Sequence, residues 1–357
     1  MNTKRIERSG GRKARRPLAW FAASLLVVAA LGYTSCAKKT DEVAIVFSRG
    51  GLCLAPLHIA QINGYYKEEF DRAGVSYRFE EVDAGSTFEV VAAGKANASA
   101  TLSASTVPSI DNGLAIAFTA GLHTGCTKYL VRADSPIKSI DDLRGAKIGV
   151  VSLGDSATVN IKRILFERGF KVSGDNADIE ILVYGTNDMP LALQNGAIDL
   201  ASLHDPVAYI AQQEFDFRIL INTLEDHKFA NEYCCQTFVT RELAKKNPKA
   251  AAAYTRAVMK GAAFVKACPL EAARLQIEHK FVVGDAVTNG EILKILNYNP
   301  SVAAAQKTVQ SIILELKAMG EVKASDPAKM AEESFVRFDD VPESYVWKED
   351  GTFEEVW

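Results

Sequence analysis

The stretch Val183-Tyr184-Gly185-Thr186-Asn187-Asp188-Met189-Pro190-Leu191-Ala192-Leu193-Gln194-Asn195-Gly196-Ala197-Ile198-Asp199-Leu200-Ala201-Ser202-Leu203-His204-Asp205-Pro206-Val207 decides how the rest of the chain is organised. It reads as a strand end, a turn, a short helix stopped at Gly196, and a second short strand running out at His204-Asp205-Pro206. Residues Val82 to Ser103 have the same form, with the helix stopped at Gly94 and the strand ending at Leu102-Ser103. Setting Gly94 over Gly196, an offset of 102 residues, brings Leu102-Ser103 over His204-Asp205. Each half therefore offers polar groups where a strand ends. Building the same α/β device twice predicts two similar lobes with a site between them.

Working outward, Glu42-Val43-Ala44-Ile45-Val46-Phe47 is a compact apolar run suited to a buried strand of a parallel sheet. A loop follows from Ser48 to Pro56, then a helix to the turn at Asn63-Gly64, a second helix from Tyr65, and an alternating strand from Val75 to Val82. This βαβ spacing places ligands at strand C-termini. Gly85-Ser86-Thr87-Phe88-Glu89 reads as a capping box opening a helix, whose free N-terminal amides suit polar or anionic ligands. The scheme restarts at Ala146-Lys147-Ile148-Gly149-Val150-Val151, with Asp155-Ser156 opening the next helix. Glu232 to Thr240 is extended and returns the chain to the first lobe. Beyond Pro248 the chain is alanine-rich and helical to about Met319, with an aromatic tail from Tyr345 packed on the first lobe.

With 357 residues, 48% hydrophobic and 24% charged, the chain can bury the cores of two lobes. A net charge of −3 gives no support to a nucleic-acid partner, which needs a basic face to neutralise phosphates. Lys4, Arg5, Arg8, Arg12, Lys13, Arg15 and Arg16 precede an apolar run from Leu18 to Leu31, the order of an export signal and short for a spanning helix. Tyr33-Thr34-Ser35-Cys36 then resembles a bacterial lipobox, with Tyr33 standing where that pattern prefers Leu. Residues 1–36 are read as signal and lipobox with Cys36 lipidated, and residues 37–42 as a tether.

The ordered set of Ala55-Pro56, Asn63-Gly64-Tyr65-Tyr66-Lys67-Glu68, Gly85-Ser86-Thr87, Ser135 to Gly149, Leu193-Gln194-Asn195-Gly196-Ala197-Ile198-Asp199 and Asn247-Pro248 resembles solute-binding proteins of ABC importers. The group in question serves nitrate, taurine, alkanesulfonates and thiamine pyrimidine precursors. The resemblance, over roughly residues 43 to 300, implies an α/β periplasmic-binding-protein fold of type II: two lobes with parallel-type sheets joined by two crossing strands. Lobe I is expected at 43–128 plus 238–357 and lobe II at 129–237. It further implies a monomer outside the cytoplasm, anchored to a membrane. That monomer would close on a small-molecule ligand and dock to an ABC permease, with no catalytic step, cofactor or metal. Two alternatives stay open, an enzyme like the thiamine-pyrimidine synthases and a sensor domain of the same fold.

By position the cleft is expected to be lined by Arg49, Gly51, Leu52, Cys53, Gly85, Ser86, Thr87, Ser103, Ser105, His123, Cys126, Asp155, Ser156, His204, Asp205 and Cys235. An anion would be held by helix amides with Arg49 or a histidine, a heterocycle by aromatic walls such as Tyr65, Phe88, Tyr184 or Tyr209. Cys53, Cys126 and the Cys234-Cys235 pair all fall on cleft loops or crossing strands, in no zinc-finger spacing. They read as buried small thiols or a disulfide, as holders of a soft ligand or metal, or as reactive thiols. Because adjacent strand residues face opposite ways, only one of Cys234 and Cys235 is expected to point into the cleft.

Overall fold

The computed structural model describes residues 42–82, 87–226 and 228–357. The signal, the lipidation residue Cys36, the tether up to residue 41, and Gly85 and Ser86 of the capping box lie outside the described residues.

The first part of the chain runs β1 (Val43–Ser48), α1 (Ala55–Ile62), α2 (Tyr65–Ala73), β2 (Tyr77–Val82), α3 (Thr87–Ala92), β3 (Ala98–Leu102), α4 (Ser103–Asp111) and β4 (Ile116–Thr124). There follow β5 (Thr127–Val131), β6 (Lys147–Val150), α5 (Ser156–Glu167), β7 (Glu180–Val183), α6 (Met189–Gln194), β8 (Leu200–His204), α7 (Val207–Phe215) and β9 (Arg218–Asn222). The last part is β10 (Tyr233–Thr240), α8 (Arg241–Lys246), α9 (Pro248–Ala267), α10 (Pro269–Glu278), α11 (Ala286–Ile295), β11 (Asn297–Ser301), α12 (Ala303–Ala318), α13 (Pro327–Glu333), β12 (Ser344–Trp347) and β13 (Phe353–Val356).

Two large sheets result, ordered β11-β4-β10-β3-β1-β2 and β7-β6-β8-β5-β9. The apolar run of β1 is buried at every position because β2 and β3 pair with it in parallel on both edges. Most strands in each sheet run one way: in the first sheet β10, inserted between β3 and β4, and the edge strand β11 run against the rest, and in the second only β5, inserted between β8 and β9, does so. These inserted strands adjoin the two crossings. The chain leaves the first sheet at Thr124 and enters the second at Thr127, with only Gly125-Cys126 between; it returns between Asn222 and Tyr233. The mixed α/β architecture is that of a periplasmic binding protein, as expected.

The internal repeat survives as topology. Gly94 and Gly196, at φ +69° and +70°, stop α3 and α6 in the left-handed conformation that glycine adopts without steric cost. The strands that follow occupy equivalent places: β3 lies between β1 and inserted β10, and β8 between β6 and inserted β5. Both strand ends therefore face a crossing strand, with Leu102 opposite Cys235 and His204 opposite Thr127.

Helix α9 is the centre of the first sheet's helical layer. Asn247 caps it by accepting from the Ala250 amide, Pro248 opens it, and its alanines let neighbours approach from all sides. At Gly261 a Cβ would stand 2.1 Å from the Pro56 carbonyl of α1. The aromatic tail forms the β12–β13 hairpin, whose Trp347 packs on Phe264 and whose Phe353 packs on Tyr65. A further tie joins the two sheets' layers. Arg163 of α5, fully buried, donates to both oxygens of Glu232 (2.9 Å each) on the return crossing and to Glu315 of α12 (2.8 Å). Lys162 pairs with Glu321 at 2.8 Å beside it.

Candidate functional site

Six side chains from five separate segments converge at the crossings. Cys53 lies in the short 3-10 turn after β1, His123 ends β4, Cys126 sits in the first crossing, His204 ends β8, and Cys234 and Cys235 open β10. They form two triads, Cys53–His123–Cys235 and Cys126–His204–Cys234, whose sulfur and ring-nitrogen atoms lie within 4.8 Å of one another in each. The Cys126 and Cys234 sulfurs, both free thiols, are 2.7 Å apart, and Cys126 Sγ is 3.6 Å from His204 Nδ1.

Both cysteines of the adjacent pair take part, Cys235 in the first triad and Cys234 in the second. Strand alternation holds for a regular ladder, and here the pairing of β10 with β4 is irregular from Tyr233 through Gln236. An irregular ladder of this kind re-aims side chains at a strand end.

The imidazoles are held from outside the cluster. His204 Nε2 donates to Asp155 (3.1 and 3.3 Å), itself fixed at the N-terminus of α5 by accepting the Ala157 amide at 2.9 Å. That leaves His204 Nδ1 toward Thr127 Oγ1 (3.0 Å) and Cys126. His123 Nδ1 stands 3.3 Å from the Thr124 carbonyl, an acceptor, so the proton belongs on Nδ1. Its Nε2 is buried without a hydrogen-bond partner.

The electrostatics favour one thiolate in each triad. A hydrogen bond from Cys235 brings the Cys53 thiol down to about 5 despite its burial, with His123 adding to the shift. Hydrogen bonds from Cys126 and Cys235 hold Cys234 well below the ordinary thiol range. The donors Cys126 and Cys235 are correspondingly pushed up, chiefly by Cys234. Burial works against a charged His204, yet Asp155 outweighs it and lifts the imidazole to about 9. Such a set can bind a soft cation, or can present a thiolate nucleophile beside a histidine.

The other expected residues are engaged elsewhere. Arg49 is half exposed and pairs with Glu81 at 3.1 Å. Gly51 precedes the turn carrying Cys53, and Leu52 is buried in the apolar core. Thr87 is the first residue of α3. Ser103 donates to the Tyr233 carbonyl (2.7 Å), fastening α4 to β10, and Ser105 donates to its own turn at Leu102. Ser156 is buried as the first residue of α5. Asp205 accepts both bonds of a buried pair with Lys128 (2.7 and 2.8 Å) and the Tyr209 amide, so it orders α7. Tyr65 packs on Phe353 in the tail. Sequence reasoning left Cys234 and Thr127 out of the site; the doubled cysteine was the available signal for the first, and position opposite His204 is visible only in the sheet.

The "NMT1/THI5 like" family matches residues 53–272. The chain belongs to this family. All six cluster residues fall inside the NMT1/THI5-like match. No curated protein matches the chain. Among solved structures, the periplasmic aliphatic sulphonate binding protein SsuA from Escherichia coli is similar at 15% identity over 87% of this chain and 98% of that one, with a TM-score of 0.67. The alkanesulfonate-binding protein SsuA from Xanthomonas axonopodis pv. citri, bound to MOPS, is 15% identical over 84% and 99%, with a TM-score of 0.65. The periplasmic nitrate-binding protein NrtA from Synechocystis PCC 6803 is 15% identical over 89% and 96%, with a TM-score of 0.63. These likenesses establish the fold that the NMT1/THI5-like chain shares with sulfonate- and nitrate-binding proteins. No helix among the described residues is long and apolar enough to cross a membrane.

Proposed function

We propose that the chain is an exported, lipid-anchored solute-binding protein. Cys36 carries the anchor, and a small organic solute or anion is captured between two lobes that divide at the crossings. The loaded monomer then delivers it unchanged to an ABC permease in the membrane. The observation that carries this reading is the junction itself. The ends of β4 and β8, the turn after β1, the first crossing and the start of β10 deliver side chains to one place between the sheets. A binding protein of this architecture works by closing there.

The cavity at that junction, lined by Gly125, Thr127, Thr223, Tyr233 and Cys234 among others, holds about 20 Å³. Organic ligands occupy pockets of about 300–1,000 Å³, so capture on this reading requires the lobes to part. The ion pairs between α5 and α12 would then belong to the closed form. The test is native mass spectrometry of the protein as purified, joined to melting curves with nitrate, taurine and alkanesulfonates. A ligand at 100 times its Kd stabilises by about 2.7 kcal/mol, a visible rise in melting temperature. No retained ligand and no shift with any small solute would defeat the reading.

One observation favours an enzyme instead. Asp155, His204 and Cys126 stand in line, the order in which a carboxylate orients a histidine beside a thiol. Turnover of a pyridoxal- or histidine-derived substrate by the purified protein would establish it.

A further inference from the structure

We propose that the two triads bind two thiophilic divalent cations of the zinc class, one held by Cys53, His123 and Cys235 and the other by Cys126, His204 and Cys234. The sequence left a soft ligand or metal as one of three readings of the cysteines and named no metal site; the assignment arises from what the fold brings together. It goes beyond the solute-binding reading and does not depend on it.

Three observations carry it. The first is the donor chemistry. Two sulfurs and one imidazole nitrogen per triad are the donors that zinc takes, and three protein ligands leave a fourth position for water or a donor from a bound solute. Once binding has displaced the protons of both cysteines, two thiolates and a neutral imidazole cancel a dication's charge, which matters at a site whose His123, Cys126 and Cys235 are buried.

The second is how the histidines are held. A metal-bound histidine characteristically gives its other N–H to a carboxylate or a backbone carbonyl, which fixes the ring and its tautomer. His204 gives Nε2–H to Asp155 and His123 has Nδ1 against the Thr124 carbonyl. Of the remaining nitrogens, His204 Nδ1 lies 3.6 Å from Cys126 Sγ with Thr127 Oγ1 at 3.0 Å beside it, and His123 Nε2 is buried with no hydrogen-bond partner in a triad with Cys53 and Cys235. A buried nitrogen without a partner has given up its hydrogen bond to water, a loss that coordination makes good. Thiols that merely filled space would not require two rings so oriented. A disulfide between Cys126 and Cys234 would leave the other triad unexplained.

The third is distance. Zinc–sulfur bonds of about 2.3 Å in a tetrahedron set ligand sulfurs about 3.8 Å apart. The ligand atoms of each triad already lie within 4.8 Å, and within the second triad Cys126 is 2.7 Å from Cys234 and 3.6 Å from His204. Shifts of about 1 Å, within the reach of rotamer adjustments, bring both sets to bonding geometry.

The experiment titrates the full chain, reduced and stripped of metal under an inert atmosphere, with Zn²⁺ and separately with Co²⁺. Two ions per chain are expected, with thiolate-to-cobalt charge-transfer absorption saturating at two equivalents. Four of the chain's six cysteines should become protected from a thiol reagent once Zn²⁺ is added. Cys53→Ser and Cys126→Ser should each lower the stoichiometry to one ion, and the ion retained shows that the variant is folded. Fewer than two ions on the wild-type chain, unprotected thiols, or unchanged stoichiometry in either variant overturns the proposal. Protein isolated from its own compartment with Cys126 and Cys234 oxidised to a disulfide would overturn it equally.

Discussion

Gly125→Ala isolates what the first crossing demands. Gly125 has φ +56°, and a Cβ built on it would lie 2.6 Å from Leu224 Cα and 2.9 Å from Leu224 N on the return crossing. These are backbone atoms and cannot swing aside. The left-handed conformation costs a non-glycine residue roughly 1–2 kcal/mol. Moving one crossing by the better part of an ångström adds the overpacking cost of about 1–3 kcal/mol. The sum centres near 3–4 kcal/mol. Gly74→Ala supplies the control, since Gly74 has φ +67° with nothing within 4 Å of its Cβ position, so only the conformational cost applies. Matched urea titrations followed by far-ultraviolet circular dichroism should therefore place Gly125→Ala about 1–3 kcal/mol below Gly74→Ala. Displacing the crossing also shifts Cys126, so the alanine variant should bind cobalt more weakly in the second triad than in the first. Equal destabilisation of the two variants would refute the close approach of the crossings.

Other outcomes follow from the same structure. Gly261→Ala drives a methyl against the Pro56 carbonyl at 2.1 Å and should abolish soluble expression or lower stability by at least about 3 kcal/mol, read from yield and melting temperature. Arg163→Ala takes the buried guanidinium away from Glu232, while Glu315 keeps Lys228 at 2.8 Å; that remaining partner and the carboxylates' partial exposure put the loss near 3 kcal/mol, the lower end for a broken buried pair, measured by denaturation. His58 should impose a pH dependence. Burial lowers its pKa to about 4, and its ring is held neutral between the Ser48 carbonyl (2.9 Å) and the Gln276 amide nitrogen (2.7 Å). The unfolded chain takes up this proton near pH 6.5 and the folded chain near 4, so the stability present above pH 6.5 is lost on acidification across that window, by about 3 kcal/mol. His58→Gln should flatten that slope by about one proton, as read from urea titrations at pH 7, 5.5 and 4.

Much of the fold was legible because its signals are local. The apolar run of β1, the glycine stops at Gly94 and Gly196, the Asp155-Ser156 helix start and the Asn247-Pro248 opening each act within a few residues, where periodicity and capping chemistry are decided. The repeat of α3–β3 in α6–β8 was visible for the same reason, and it turned out to mark the two strands that border the inserted crossing strands.

The site was legible only in outline. Sequence placed Cys53, His123, Cys126, His204 and Cys235 on loops and crossings, but nothing in their spacing joins residues from 53 to 235 into two triads. That pairing depends on antiparallel insertion of β10 and β5, which sets Cys235 beside His123 and His204 beside Thr127. It also depends on the ladder irregularity at Tyr233–Gln236, which sends neighbouring thiols to different partners. Arg49 and Asp205 show the converse: chemically apt for a ligand, they found Glu81 and Lys128. The sequence by itself determined the α/β elements, their order and the doubled device, because these follow from local backbone preference and burial pattern. The tertiary structure alone decided which thiol meets which imidazole, because strand order and register are set by contacts between residues far apart in the chain.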